Sequence, residues 1–150
     1  AGIPGPFVQD NLSRSSRGTV RGLHLQHPHA QGKLVQVLEG TVVDVAVDVR
    51  VGSPTFGTWV AEELSAENKC QLWVPAGFAH GFSVLSESVL FAYKVTDTYH
   101  PEAEVGIAWN DPALAIPWRV PEGEAIVSGK DRAHPLLAAI DTARLPRWEG

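Results

Sequence analysis

Residues 42–49 have the sequence Val-Val-Asp-Val-Ala-Val-Asp-Val, and this stretch decides the fold class. Side chains point alternately to the two faces of a β-strand. One face therefore carries Val43, Val45, Val47 and Val49, and the other carries Val42, Asp44, Ala46 and Asp48. The alternation predicts a half-buried strand with a partly polar second face.

Seven other short stretches have a similar strand-like composition, at 18–26, 33–38, 58–64, 70–74, 81–85, 89–94 and 105–109. Turn-forming residues separate them, as at 52–54 (Gly-Ser-Pro) and 75–77 (Pro-Ala-Gly). Short strands at near-regular spacing predict an all-β fold, as an antiparallel sandwich, jelly roll or barrel. Residues 131–144 differ, because Leu136, Leu137 and Ile140 are spaced as in a short helix that packs on the sheet.

The composition excludes several classes of protein. A chain of 150 residues can bury the core of one domain. It has 12 Lys plus Arg and 17 Asp plus Glu, and this net charge of −5 argues against a nucleic-acid partner. No apolar run approaches the ~20 residues that cross a bilayer. The single Cys70 cannot form an internal disulfide, which favours the cytoplasm. Together with the chain length and the lack of a long apolar run, this predicts a single-domain cytoplasmic protein without a membrane partner.

His24, near the end of one predicted strand, and Lys33, at the start of the next, are candidates for chemistry. In Arg21-Gly22-Leu23-His24, alternation places Arg21 and Leu23 on one face and Gly22 and His24 on the other. Histidine titrates near neutral pH and is a candidate base, although a lone strand histidine is more often structural. Lys33 is either an ordinary cation at a strand edge, where it opposes pairing with another chain, or a fixed charge in an anion-binding pocket.

Three further residues have both a structural and a functional interpretation. Tyr93 lies in an apolar strand, where core packing is the simpler explanation. Tyr99 falls on a loop, from which it can stack on a flat ligand or cover a core edge. Asp131 either belongs to a solvated charged stretch or orients a distant histidine.

The histidines also allow a metal-site interpretation. His27, His29 and His80 could serve a metal-dependent cupin oxygenase or isomerase. Such sites usually place a carboxylate a few residues after the first histidine pair, whereas this chain has none before Glu39. The ligand set is therefore incomplete, and the alternative stays open.

Six sequence strings together resemble the dTDP-4-dehydrorhamnose 3,5-epimerase family. They are FVQDNLSRSSRG (7–18), VRGLH (20–24), GKLV (32–35), DVAVDVR (44–50), SPTFG (53–57) and PAGFAHGF (75–82). The resemblance extends from about residue 7 to residue 132.

This resemblance implies a cupin-type antiparallel jelly roll, or double-stranded β-helix, that uses no metal or other cofactor and forms a homodimer. The implied substrate is a dTDP-linked 4-keto-6-deoxyhexose, inverted at C3 and C5 in the synthesis of dTDP-L-rhamnose or a related deoxysugar. The hydrogens on C3 and C5 are both α to the C4 ketone. Removing either gives an enolate, and returning a proton to the opposite face inverts the carbon.

The resemblance also assigns roles to residues. It implies that His24 is the base, that Asp131 is its dyad partner, that Tyr93 is the opposite-face acid and that Lys33 is a cation near the ketone. The implied substrate-binding residues are Gln9, Asn11, Arg21, His80, Tyr99, Glu104 and Lys130. Among these, Arg21 and Lys130 would bind the diphosphate, and Tyr99 would stack on thymine.

Two other functions remain compatible with the sequence: an epimerase that inverts only C3 or only C5, and a sugar-nucleotide binding module without catalysis. Members of the family begin well before the FVQDN string. We therefore expect that this chain lacks the N-terminal strands of its relatives.

Overall fold

The computed structural model describes residues 2–150 and contains nine strands. They are β1 (Gln9–Ser16), β2 (Val20–Gln26), β3 (Lys33–Glu39), β4 (Thr41–Asp48), β5 (Trp59–Ser65), β6 (Gln71–Val74), β7 (Phe78–Val84), β8 (Ser88–Val95) and β9 (Glu104–Gly106). One helical turn, α1 (Gly129–Arg132), follows them. Short 3₁₀ turns occupy Pro101–Ala103, Glu122–Glu124, Leu137–Ala139 and Thr142–Arg144.

The strands form two antiparallel sheets. One has four strands in the order β1-β8-β3-β6, and the other has five in the order β5-β4-β7-β2-β9. Most strand neighbours are distant in sequence, as in a jelly roll, where the chain crosses between sheets. The predicted all-β, cupin-type jelly roll is confirmed.

The two sheets enclose one apolar cluster, and a second cluster covers the outer face of the five-stranded sheet. The cluster between the sheets contains Val35, Val37, Val42, Leu64, Phe82, Val84, Val89 and Phe91. In the outer cluster, Val43, Val45 and Val47 pack with Trp109, Trp118, Leu145 and other residues after β9. The C-terminal third of the chain thus covers the sheet instead of forming a core of its own.

Strand β4 is buried on both faces, so the predicted half-buried strand is wrong. Asp44 and Asp48 are 0% and 1% exposed. Polar side chains, in place of the expected solvent, provide their hydrogen bonds. Asp48 accepts two hydrogen bonds from the Arg50 guanidinium, at 2.9 Å each, and one from Ser53 Oγ. Asp44 accepts from His80. Alternation identified the faces correctly but not what covers the second one.

Strand β2 departs from regular alternation at Gly22. Arg21 pairs with Phe82, but His24 pairs with His80, so the register shifts by one residue between them. As a result Arg21 is exposed while Leu23 is fully buried in the outer cluster, and the predicted shared face for these two residues is wrong. A side chain on Gly22 would meet the His80 carbonyl oxygen at 2.7 Å, and its φ is +121°. Only glycine fits at this position.

The predicted helix over 131–144 is also wrong. Helix α1 ends at Arg132, and the rest of the segment forms two 3₁₀ turns. Pro135 disfavours helical backbone at the residue before it. The Leu137 N–H instead donates to Asp111 Oδ2 at 2.9 Å. The segment is a strap across the sheet.

Candidate active site

A cavity of about 330 Å³ lies between the two sheets and gathers most of the predicted site residues. Both sheets contribute: β1, β3 and β8 from one, β2 and β9 from the other. Seven residues that the sequence singled out line it, namely Gln9, Asn11, His24, Lys33, Tyr93, Tyr99 and Glu104. Residues up to 95 positions apart in the chain, from Gln9 to Glu104, therefore face one space.

His24 and Asp131 form a close pair at the edge of this cavity. His24 Nε2 lies 2.6 Å from Asp131 Oδ1, and the Gly22 N–H donates to Asp131 Oδ2 at 3.1 Å. Ser128 Oγ caps helix α1 by accepting from the Asp131 N–H. Burial opposes ionisation, but the contacts with His24 and Gly22 outweigh it and lower the pKa of Asp131. The pair thus consists of an ionised carboxylate and an imidazole that donates from Nε2.

Lys33 places a cation of unusual acidity in the cavity. Burial lowers its pKa to about 8, although the carboxylates of Asp44 and Glu104 favour the charged form. Among residues 2–150, no side chain accepts a hydrogen bond from its ammonium group within the cavity. The cation is free to interact with a ligand oxygen.

Tyr93 lies in β8, opposite Val35 of β3. Burial raises the pKa of its hydroxyl, and the positive charge of Arg21 only partly offsets this effect. The phenol therefore keeps its proton at neutral pH and can donate it to a strong base.

Glu104 connects the cavity to its exposed rim. It accepts hydrogen bonds from the Tyr99 hydroxyl, at 3.0 Å, and from the Lys130 ammonium group. Burial opposes ionisation of Glu104, but these two donors and the nearby His24 lower its pKa. The carboxylate holds Tyr99 and Lys130 side by side at the mouth.

Arg21, Lys130 and Asp131 lie in an adjoining groove, which His24 separates from the cavity. Arg21 and Lys130 give this groove positive charge, despite the net charge of the chain. His80 does not line the cavity. It is buried beneath, as the strand neighbour of His24 on β7, and its Nε2 lies 2.7 Å from Asp44 Oδ1.

Sequence reasoning missed three residues at the site. Gln26 and Gln31 line the cavity. Gln26 donates to the carbonyls of His29 and Thr98, and thereby connects the loop after β2 with the loop after β8. Strand alternation from His24 would have pointed to Gln26. His134 also lies 3.2 Å from Asp131 Oδ1, and no sequence signal marks it.

The three histidines of the metal-site interpretation do not come together. Within residues 2–150, the groups spaced to hold a metal are His24 with Asp131 and His134, and His29 with Asp97 and His100. His80 pairs with Asp44 instead. The set of His27, His29 and His80 is therefore not a metal centre in this fold.

No helix among the described residues is long and apolar enough to span a membrane.

The chain is similar to known proteins in sequence and in fold. The family model described as dTDP-4-dehydrorhamnose 3,5-epimerase matches residues 1–139. A protein of that name from Pseudomonas aeruginosa is 59% identical over 140 residues, which cover 93% of this chain and 77% of the relative.

Two solved structures have the same fold. A dTDP-6-deoxy-D-glucose-3,5-epimerase from Legionella pneumophila, in complex with dTDP-4-keto-L-rhamnose, has a TM-score of 0.96 and 58% identity, covering 99% of this chain and 79% of that one. A 3'-monoepimerase from Streptomyces bikiniensis, in complex with dTDP-quinovose, has a TM-score of 0.87 and 34% identity, covering 95% and 72%. The chain belongs to the dTDP-4-dehydrorhamnose 3,5-epimerase family.

Proposed function

We propose that this protein inverts C3 and C5 of a dTDP-linked 4-keto-6-deoxyhexose by removing and returning protons through an enolate. The observation that carries the proposal is the cavity in which His24, hydrogen-bonded to Asp131, meets Lys33 and Tyr93. These groups supply a base, a cation and an acid. The relative from Legionella pneumophila, with 58% identity, binds dTDP-4-keto-L-rhamnose.

His24 removes the proton from the carbon α to the ketone. Since Nε2 faces Asp131, Nδ1 carries the free lone pair. Histidine is the usual general base of enzymes because imidazole accepts and releases protons near neutral pH. The Asp131 carboxylate fixes the tautomer and stabilises the imidazolium that forms.

Lys33 stabilises the enolate. As the C–H bond breaks, its electron pair moves into the ring and negative charge develops on the C4 oxygen. A preorganised cation beside the C4 oxygen lowers the energy of that state more than that of the neutral ketone. The ammonium group of Lys33 is suited to this because no carboxylate pairs with it directly.

Tyr93 returns a proton to the opposite face of the carbon. Its hydroxyl stays protonated until a base as strong as an enolate carbon is present, since burial raises its pKa. Proton removal by His24 and proton delivery by Tyr93 together invert the centre. Exchange with water then restores both groups for the second carbon.

The nucleotide part occupies the rim and the adjoining groove. Arg21 and Lys130 neutralise the diphosphate, and the Arg21 fork suits its oxygens. Tyr99 is half-exposed beside Glu104 and stacks on the thymine. Gln9 and Asn11 contact the nucleotide from β1; they are linked to each other by a 2.9 Å hydrogen bond. His80 stays a predicted sugar-pocket residue.

Deuterium incorporation tests the proposal. The protein is incubated in D₂O with dTDP-4-keto-6-deoxyglucose, and the label at C3 and C5 is measured by NMR. We expect label at both carbons. The His29→Ala variant, which removes an exposed histidine outside the cavity, serves as the control and should behave like the parent. Absence of label at both carbons would refute the epimerase proposal.

Inversion at one carbon is the second candidate. It is favoured by the likeness to the 3'-monoepimerase from Streptomyces bikiniensis. The same base and acid serve either carbon, so the site geometry is compatible with both outcomes. Label at C3 without label at C5 would select this candidate.

We also propose that the protein acts in the cytoplasm as a homodimer of single-domain subunits. Supporting the dimer, Leu12 of the edge strand β1 and Val8, which directly precedes this strand, are exposed beside the cavity residues Gln9 and Asn11. Sedimentation velocity tests it, with a mass of two chains expected. A monomer at micromolar concentration would contradict it.

A further inference from the structure

His134 contacts the same carboxylate oxygen as the proposed base. Its Nε2 lies 3.2 Å from Asp131 Oδ1, the atom that His24 Nε2 approaches to 2.6 Å. A carboxylate accepts hydrogen bonds only, so both imidazoles donate from Nε2. Together with the Gly22 N–H on Oδ2, Asp131 therefore accepts from three donors.

The fold reserves space for the His134 ring. Gly106 is the strand neighbour of His24 on β9, and a side chain there would meet the His134 ring at 2.1 Å. The ring fills the place that a side chain at 106 would take. It meets the His24 ring edge to face, with 5.7 Å between centroids.

The backbone beside His134 is anchored as well. The Ala108 N–H donates to the Pro135 carbonyl at 2.8 Å, and the Leu137 N–H donates to Asp111. The His134 side chain is 13% exposed. An anchored, nearly buried imidazole is therefore held against Asp131, and solvent does not compete freely for that contact.

We propose that His134 is a positioning residue for the epimerisation: it holds the Asp131 carboxylate so that His24 keeps its Nε2–H tautomer and presents Nδ1 to the substrate. This inference rests on the proposed role of His24 as the base. By donating to Oδ1, His134 also withdraws part of the negative charge that His24 would otherwise experience. A less strongly held imidazolium releases its proton more readily at neutral pH.

Other charged groups face the two imidazoles. Lys130 and Asp131 lie on α1, Glu104 on β9, Arg21 on β2 and Lys33 on β3. None of them changes when His134 is replaced. A change in the protonation of His24 on replacing His134 would therefore report the loss of the His134 imidazole, and a variant that keeps a donor to Asp131 separates the Asp131 contact from the direct ring contact.

The test compares His134→Ala with His134→Gln, whose side-chain amide can still donate to Asp131. For His134→Ala we expect kcat to fall roughly tenfold, as when other outer hydrogen-bond partners are lost, with unchanged affinity for dTDP. The acidic limb of the kcat/KM profile should move to higher pH, because Asp131 then holds the His24 imidazolium more strongly. His134→Gln should recover most of both effects. Leu136→Ala, an exposed change in the same strap, should match the parent.

NMR of ¹⁵N-labelled histidine separates this proposal from the proposed function. It should show His24 as the Nε2–H tautomer in the parent, with a higher His24 pKa in His134→Ala. An unchanged His24 pKa and an unchanged acidic limb would overturn the inference, as would equal losses in the Ala and Gln variants. If the parent labels neither C3 nor C5, the epimerase proposal fails, while the NMR measurement still decides whether His134 controls His24.

Discussion

Two histidines on neighbouring strands each pair with an aspartate, and the two pairs differ in their exposure. His24 and His80 are direct partners across β2 and β7, and each has Nε2 within 2.7 Å of a carboxylate oxygen. The side chains of His24 and Asp131 are 31% and 6% exposed, whereas those of His80 and Asp44 are 8% and 0% exposed. His24 lines the cavity, whereas His80 is buried beneath it.

The difference arises from where each carboxylate comes from. Asp131 comes from helix α1 outside the sheets, so His24 lies between its partner and the cavity. Asp44 comes from β4, inside the sandwich, and one of its oxygens has no partner among residues 2–150. Its negative charge instead favours the protonated form of Lys33. We therefore infer that the same pair of residue types provides the proposed base at one position and support for the fold at the other.

The largest expected effect is on the exposed pair. His24→Ala should lower deuterium exchange at C3 and C5 by about 10²–10⁴-fold, the usual contribution of a positioned general base. The free energy of unfolding should change little, since Asp131 keeps its contacts with Gly22 and His134. Exchange by NMR and urea denaturation measure the two quantities. Full epimerisation at both carbons in this variant would refute the assignment of the base.

The buried pair should show the opposite pattern. His80→Ala leaves Asp44 buried without its partner, which we expect to lower the free energy of unfolding by about 3–5 kcal/mol. Urea denaturation measures the loss. The double variant His80→Leu with Asp44→Val is the matched control and should recover much of it, because it removes the unpaired charge as well. A loss below about 1 kcal/mol would mean that the pair is not structural.

Lys33 lines the cavity with His24 and experiences the charge of Asp44. It should determine the alkaline limb of the pH profile of kcat/KM. Its pKa of about 8 means that the cation loses its proton as the pH rises through that value. We expect kcat/KM to fall about tenfold per pH unit above pH 8, because this parameter reports groups of the free enzyme. Tyr93, whose pKa is raised, keeps its proton in this range.

Lys33→Arg provides the control for this limb. Arginine stays charged throughout the accessible pH range. The variant should therefore lack the fall near pH 8, even though its activity at neutral pH is lower. A limb at the same pH in both proteins would show that another group causes it.

Sequence alone predicted the strands that bury apolar residues, because alternation is a local property. It missed β1, whose residues Gln9–Ser16 are mostly polar and which is defined by its pairing with β8. It also predicted a helix in the C-terminal strap. There, contacts distant in sequence, such as that between Leu137 and Asp111, decide the structure.

Local sequence patterns also failed to bring the site residues together. The residues that line the cavity were identified through resemblance to a family, since no local pattern brings Gln9 and Glu104 together. The partnership between Asp44 and His80, and that between His134 and Asp131, depend on the register of β2, β4 and β7 and on the path of the strap. The one-residue shift at Gly22, which turns Arg21 and His24 toward one groove, is invisible to alternation.

A third group extends the comparison to a solvated carboxylate and gives the smallest expected effect. Asp97 lies 3.9 Å from His29 and 3.7 Å from His100, and the three side chains are 39%, 50% and 29% exposed. Exposed pairs of this kind contribute about 0–1 kcal/mol, because water solvates both partners in the unfolded and the folded protein. Asp97→Asn should therefore change the free energy of unfolding by less than about 1 kcal/mol. A loss as large as that of His80→Ala would show that burial does not control the value of these pairs.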